Sequence, residues 1–395
     1  MPVNQDPVVI VAARRTPIGS FQGKLAPLNA IQLSAAASQA ALTDAGLSPS
    51  AIDEALIGCV LPAAIGQAPA RQAVLAAGLP LSVGATTVNK VCGSGMKAAM
   101  LGHDLLLAGS ASIVLAGGME SMSNAPYMLP KARAGYRMGH QEVLDHMFFD
   151  GLQNPYDGNM MGHFADATAR EYGFTREMQD EYAIESVNRA LTAAQNGSFA
   201  DEIVTVAVKN RRNEALVDRD EEPDRCELDK IPTLRPAFDK DGTVTAASSS
   251  SISDGAASLI LMRASEADKR RIEPLAFVIG HSGHSHEPEW FTTAPVHAIK
   301  NLQRQIDWSS DDVDLYEINE AFACVTMAAM RDLDIDSAKL NVNGGACALG
   351  HPIGATGARI TTTLVHALRN RGLKRGIAAV CIGGGEAVAI AVETA

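Results

Sequence analysis

The sequence predicts an α/β fold of two similar layered halves with a loop domain inserted, and three observations carry that expectation. Apolar strand-like runs alternate with helix-like runs at both ends of the 395-residue chain. That rhythm breaks from about Met122 to Ser250. Finally, VLAGGME at 114–120 reads against VCIGGGE at 380–386, each following a long helical stretch that opens behind a glycine-rich loop. A repeated strand-plus-turn unit suggests duplication, with two glycine turns at one shared crevice where backbone can approach a ligand closely.

Taken in order, PVVIVAA (7–13) has the continuous apolar character of a buried strand, and the Ala-rich run 31–46 reads as a helix stopped by Gly46. IDEALIGCVLP (52–62) comes next, then the apolar helical run 69–78. GATTVNKV (84–91) reads as a strand that leads into Cys92-Gly93-Ser94-Gly95, the helix 96–109 and the apolar strand ASIVLAGGMES (111–121). Such alternation implies parallel sheets covered by helices on both faces. These elements define a first half over 1–121, completed by about 252–273. Residues 122–251 are turn-rich, carry the helix 176–197 and the charged stretch Lys209–Lys230, and read as the inserted loop domain. From 274 to 395 the α/β rhythm returns in LAFVIGHSGH (275–284), VHAIKNLQRQI (296–306), DLYEINEAFACVTMAAM (314–330), ARITTTLVHAL (358–368) and IAAVCIGGGEAVAIAVE (377–393).

The composition, 47% hydrophobic and 20% charged, is that of an ordinary globular chain with material for two or three domains. A formal net charge of −12 opposes nucleic acid and anionic membrane as partners, because the mean field repels both. The opening MPVNQDPVVIVAARRTPIG lacks the basic-then-apolar order of a secretory signal, and no apolar run approaches the roughly 18 residues of a membrane span. A soluble cytoplasmic protein is therefore expected. Six cysteines, Cys59, Cys92, Cys226, Cys324, Cys347 and Cys381, include no CxxC pair, so neither a disulfide framework nor a zinc knuckle is suggested. His163, His281, His284, His286 and His297 show no zinc-like spacing, and no metal is expected.

Four positions carry chemistry. Cys92 falls between a strand and a helix, with Gly93 and Gly95 allowing a tight turn. A sulfur at a helix N-terminus is favoured as thiolate, because unpaired amides and the helix dipole stabilise the anion. His351 sits centrally in the glycine-rich loop 343–357, where an unperturbed pKa near 6.5 suits proton transfer. Cys381 ends an apolar strand ahead of Gly383-Gly384-Gly385, whose amides can donate into a crevice. Asn319, on a turn before an apolar helix, can bond a carbonyl oxygen or hold water, or simply cap the helix.

VNKVCGSG, GGMESMSNAPY, NEAFA, NGGACALGHPIGATGARI and CIGGG together resemble the thiolase family closely, in the family's order and across nearly the whole chain. The resemblance implies a thiolase-like fold and reversible transfer of an acetyl unit between acyl-CoA thioesters. Cys92 would be the acylated nucleophile, His351 its activator and Cys381 the acid/base for the attacking acyl-CoA. Asn319 would order a water in one oxyanion site, and the amides of Cys92 and Gly383 would form another. The loop domain would bind coenzyme A through Leu152, Met161, Phe238, Ala246 and Ser250, with Ala321 and Phe322 closing the pantetheine tunnel and Arg225 meeting the nucleotide phosphate. No resident cofactor is implied, coenzyme A being substrate and product; a homodimer or homotetramer is.

Several positions depart from the family's usual residues: Met160 for His, Ser248 for Asn in a TAGNAS-like segment, and Glu386 after the triple glycine. Phe291 places an aromatic where smaller side chains often line the acyl pocket, which favours a short-chain substrate. Three other readings stand beside this one: a longer-chain 3-ketoacyl-CoA thiolase of β-oxidation, a synthase-type condensing enzyme, and a non-catalytic acyl-CoA-binding protein. Cys381 argues against the second, and the joint presence of Cys92, Asn319, His351 and Cys381 against the third.

Overall fold

A computed structural model describes residues 6–209 and 213–395. The opening residues 1–5 and positions 210–212 of the charged stretch lie outside the described residues. The chain begins with β1 (Val8–Arg15), β2 (Gly19–Ser20), α1 (Ala30–Asp44), β3 (Glu54–Gly58), α2 (Pro69–Ala76), β4 (Gly84–Val88), α3 (Ser94–Leu107) and β5 (Ile113–Ser121). An excursion follows, with β6 (Tyr127–Met128), β7 (Leu144–Asp145), α4 (Met161–Tyr172), α5 (Arg176–Gln195), β8 (Val206–Lys209) and β9 (Glu214–Val217). The chain then returns through β10 (Ser253–Arg263), α6 (Ala264–Arg270), β11 (Ala276–Ser285), α7 (Ala294–Ile306), β12 (Leu315–Ile318) and α8 (Ala323–Leu333). It closes with α9 (Ala346–Leu349), α10 (Thr356–Arg371), β13 (Arg375–Ile382) and β14 (Glu386–Thr394).

Residues of β5 and β13 alternate between two helix layers, because successive side chains leave a pleated strand on opposite faces. On β5, Ile113 and Leu115 join the outer cluster with α1 and α2, whereas Val114 and Ala116 face α3 and α10. On β13, Ile377, Ala379 and Cys381 join α7 and α8, whereas Ala378, Val380 and Ile382 turn to the same central helices. The result is five layers: helices, sheet, the buried pair α3 and α10, sheet, helices. Each fully buried Leu or Ile in these clusters contributes roughly 1.5–3 kcal/mol, so the central pair is held from both sides. Local signals start and stop the outer elements. Asn29 and Gln32 form a reciprocal capping box at the start of α1, with both bonds at 3.0 Å. Gly372, in the left-handed conformation, ends α10.

Two expectations need correction. The strands of the two halves form one mixed ten-stranded sheet, in the order β12-β13-β14-β11-β1-β10-β5-β3-β4 with β2 beside β10, rather than parallel sheets, while β6-β7 and β8-β9 in the excursion form two small hairpin sheets. Among the described strands only β3–β4, β3–β5 and β12–β13 run parallel. Helical crossovers are compatible with parallel neighbours, but β13 and β14 are joined by three glycines, a connection that permits only an antiparallel pair. The two halves meet where Val9 and Ile10 of β1 pair with Phe277 and Ala276 of β11.

The second correction concerns the glycines of VLAGGME. Gly117 and Gly118 lie inside β5, not in a turn, so only 383–385 makes a glycine turn at the crevice. They are small for packing reasons. A Cβ on Gly118 would overlap the Gly354 carbonyl of the His351 loop, and one on Gly117 the Ala257 carbonyl of β10.

Candidate active site

The ends of α3 and α10 bring the first two chemical groups together at the middle of the fold. Cys92 immediately precedes the N-cap Gly93 of α3, and His351 lies five residues before the first residue of α10. The tight turn at Cys92 does not use glycine conformations: Gly93 has an ordinary φ of −83°, and Val91 takes the left-handed value, +45°. A β-branched residue held there stores strain of order 1–3 kcal/mol. Ser94 braces the turn, its hydroxyl donating to Val91 O at 2.6 Å and accepting from Lys90 N at 2.8 Å. Gly93 is needed so that Ile382 can pack on the turn, and Gly95 so that α3 can touch Ala358 of α10.

The nearby backbone amides of Gly383 and Cys92 favour the Cys92 thiolate, yet burial outweighs them and pushes the thiol up to about 11. This reverses the expectation of a thiolate poised by the helix terminus, because the sulfur is withdrawn from water into an apolar cavity. Its activation must come from a base. Burial, with the Arg359 charge adding to it, holds His351 down to about 3, so the imidazole is neutral at pH 7 and able to accept a proton. Its Nδ1 stands 2.6 Å from Thr356 Oγ1, and that hydroxyl donates its only proton to Pro352 O at 3.1 Å. Nδ1 therefore carries hydrogen, and the lone pair falls on Nε2, which has no partner among the described residues. Replacing Thr356 with Val should lower kcat about tenfold with little change in KM, the equivalent of one neutral hydrogen bond of ~1.4 kcal/mol. Steady-state rates would show it.

Cys92, His351 and Gly383 line one cavity of about 250 Å³ together with Leu152, Met161, Phe238, Ser250, Phe291, Ala321 and Phe322. Its walls are apolar and rigid. Phe322 meets Phe238 edge-on at 5.9 Å between centroids and Phe291 at 6.4 Å. Gly162 leaves room for the Phe238 ring on α4. The segment 248–250 is fastened to the start of α8 by Ser250 N to Ala321 O at 3.0 Å and Ala323 N to Ser248 O at 2.8 Å. Ser248, one of the unusual positions, also accepts from Thr245 N at 2.8 Å through its hydroxyl. Met160 lines the same cavity.

The remaining positions fall elsewhere. Cys381 is fully buried behind the lining, its thiol pushed well above the ordinary value by burial first and by the neighbouring Cys92 next. Asn319 is likewise buried, is not the cap of α8 (Phe322 is), and has neither side-chain polar atom hydrogen-bonded among the described residues. Ala246 is exposed and Arg225 sits 3.6 Å from Glu221; neither lines the cavity.

Two buried carboxylates escaped the sequence reading and hold the loops in place. Glu120 accepts from Val60 N, Leu61 N and Gly354 N at 2.9–3.1 Å, and burial raises it to about 7. Glu320 takes Tyr182, Ser186 and Asn341 side chains at 2.8 Å and Cys347 N at 3.0 Å, tying the loop before His351 to α5. For Glu120 the signal was an acidic residue near the end of an otherwise apolar strand, whereas Glu320 lies two residues past β12 in the NEAFA motif. Glu386 pairs with Lys90 and accepts from Ser285 at 3.1 Å, bridging the Cys92 turn and the Gly383–Gly385 turn.

The family description "Thiolase, N-terminal domain" matches residues 8–265 and "Thiolase, C-terminal domain" residues 272–394. An acetyl-CoA acetyltransferase of Cupriavidus necator is 47% identical over 388 residues, 98% of this chain and 99% of that protein. The crystal structure of the Bacillus anthracis acetyl-CoA acetyltransferase superposes with a TM-score of 0.97 at 41% identity, covering 99% of each chain. A thiolase from Ascaris suum in complex with coenzyme A superposes with a TM-score of 0.93 at 41% identity, covering 98% of this chain and 100% of that one. Matched in both halves and over nearly its whole length, this chain belongs to the thiolase family.

Proposed function

We propose that the protein is an acyl-CoA C-acetyltransferase that condenses two acetyl-CoA to acetoacetyl-CoA and CoA, and runs the reverse thiolysis, through an acyl group carried on Cys92. The observation that carries this reading is that Cys92, a neutral His351 and Gly383 of the glycine turn line one apolar cavity. In this reading the backbone amides of Cys92 and Gly383 stabilise the oxyanion of the tetrahedral intermediate. In cleavage, Cys92 sulfur bonds to C3 of the 3-ketoacyl-CoA while His351 takes the thiol proton. The C2–C3 pair then leaves as the acetyl-CoA enolate, which Cys381 protonates at C2. CoA thiol next attacks the acyl carbon and gives its proton to the Cys381 thiolate, while His351 returns its proton to the departing Cys92 sulfur, so both thiols are restored.

The apolar arm of the substrate fits the cavity between Leu152, Met161, Phe238 and Phe322, and coenzyme A serves as substrate and product rather than as a resident cofactor. Asn319 completes the machinery in this reading, by holding a water toward the second oxyanion. The same reading takes the loop segment 122–251 as the coenzyme A domain, and the protein as a cytoplasmic homodimer or homotetramer. Among the described residues no helix is long and apolar enough to cross a membrane.

Phe291, 3% exposed and packed between Phe164 and Phe322, closes the wall where a longer acyl chain would extend. Acetoacetyl-CoA should therefore be cleaved at least about tenfold faster, by kcat/KM, than 3-ketodecanoyl-CoA, since each excluded methylene forfeits up to ~0.8 kcal/mol of burial. A faster ten-carbon substrate would establish the longer-chain reading instead; no turnover of either would establish a binding protein.

A further inference from the structure

We infer that His284, His286 and His297 form a binding site for one divalent transition-metal ion, on the outer face of the second half beside the Gly383–Gly385 turn. The three come from two elements: His284 is in β11, His286 just follows it, and His297 is in the first turn of α7. One ligand atom from each ring lies within 4.8 Å of the other two. The ring centroids stand 5.0 Å apart for His284–His286, 4.5 Å for His284–His297 and 5.7 Å for His286–His297. Three nitrogens so grouped need only small rotations to reach the about 2.0–2.1 Å at which imidazole binds zinc.

A second observation points to a ligand. His286 Nε2 is 2.7 Å from the Trp290 carbonyl, and a carbonyl only accepts, so Nε2 holds the proton and Nδ1 the lone pair. Metal-binding imidazoles are commonly oriented in this manner, by spending the far N–H on a backbone oxygen. Among the described residues the three rings make no hydrogen bond with one another. A different triad, His103, Asp104 and His281, is also within 4.8 Å. There the donor atoms are already engaged, because Asp104 Oδ1 takes His281 Nε2 at 2.9 Å and His103 Nδ1 at 3.2 Å. That group is a satisfied ion-pair cluster.

The ligand set chooses the ion. Three neutral nitrogens without a thiolate suit zinc, cobalt, nickel or copper, and not magnesium or calcium, which take oxygen ligands. Exposed His297 leaves the remaining coordination positions open to solvent. The site is coupled to the catalytic turn through backbone: His286 N donates to Gly385 O at 2.8 Å. Across the sheet, His284 pairs with Ala387, which in turn pairs with Cys381, two strand spacings or about 10 Å away. At that distance the ion takes no part in the chemistry, and its effect is to hold β11, α7 and the turn together.

The test uses the full chain, stripped with EDTA and titrated with cobalt(II). We expect one equivalent bound with visible absorption from nitrogen ligation and no near-ultraviolet thiolate-to-cobalt band, together with a raised thermal midpoint. His284→Gln/His297→Gln should weaken binding on the order of 100-fold, a share of the affinity that one or two ligands supply, while thiolysis of acetoacetyl-CoA stays within twofold. Should the double variant fold poorly, the single change His297→Gln at an exposed helix position gives the same reading. His281→Gln should bind as the parent does. The inference is overturned if the parent takes up no cobalt, if a thiolate band appears, if the double variant binds unchanged, or if His281→Gln alone abolishes uptake.

Discussion

Cys92→Ala should lower kcat for thiolysis of acetoacetyl-CoA by roughly 10⁴-fold or more, and leave no acetyl group on the protein after mixing with acetyl-CoA. The size of the loss follows from what else is within reach. Cys381 and Cys347 are held as thiols far above neutral pH, the former by burial and by Cys92, the latter by burial and Glu320. Ser249 donates its hydroxyl to Thr245 O at 2.7 Å, and no base in the cavity addresses it. Among the described residues no other thiol lines the cavity. The native thiol, pushed up to about 11, should also be alkylated by iodoacetamide at a rate that rises about tenfold per pH unit between 7 and 9. A plateau below pH 8 would mean a preformed thiolate and would overturn activation by neutral His351. Turnover in Cys92→Ala above about a hundredth of the parent rate would remove Cys92 from the acyl-carrying role.

The contrast between Cys92 and its surroundings shows which properties the sequence can carry. The nucleophile turn, the histidine loop and the strand-end thiol are contiguous motifs, and so were legible together with the aromatic and methionine positions that enclose the cavity. Properties set by distant partners were not. The thiol pKa depends on a lid of side chains from α4 and the 248–252 segment, which reverses the effect of the helix terminus. Sheet direction depends on which strands become neighbours, and alternation of strands and helices leaves that order open. Arg225 has Glu221 at 3.6 Å, four residues earlier, a neighbour that its place in the sequence does not show to be in contact. Thr356 carried no signal in the sequence, because Pro352 O fixes the direction of its proton only in the folded loop. His297 is eleven residues beyond His286 with a helix start between them, and no spacing rule connects the two.

Cys381→Ala should separate the two half-reactions, lowering C–C cleavage and condensation by about 10²–10⁴-fold, the usual range for a lost general acid or base, while exchange of label between CoA and acetyl-CoA stays within about tenfold of the parent. The separation is a consequence of position. Acyl transfer to and from Cys92 needs the sulfur, the two amides and His351, all at the cavity wall. Only the carbon–carbon steps require a proton at C2, and Cys381 is the second thiol near that wall, fully buried at the end of β13 with the Gly383–Gly385 turn beyond it. Burial and the neighbouring Cys92 raise its pKa well above the ordinary thiol value, so at neutral pH it carries the proton that the departing enolate must receive. The same shift makes its anion scarce but strongly basic, which is what abstraction of a weakly acidic α-proton requires in the condensing direction. If Cys381→Ala loses label exchange and cleavage equally, the thiol serves packing in the outer cluster with α7 and α8, and the proton at C2 comes from another group. If exchange survives and cleavage does not, one sulfur holds the acyl group and the other moves the proton.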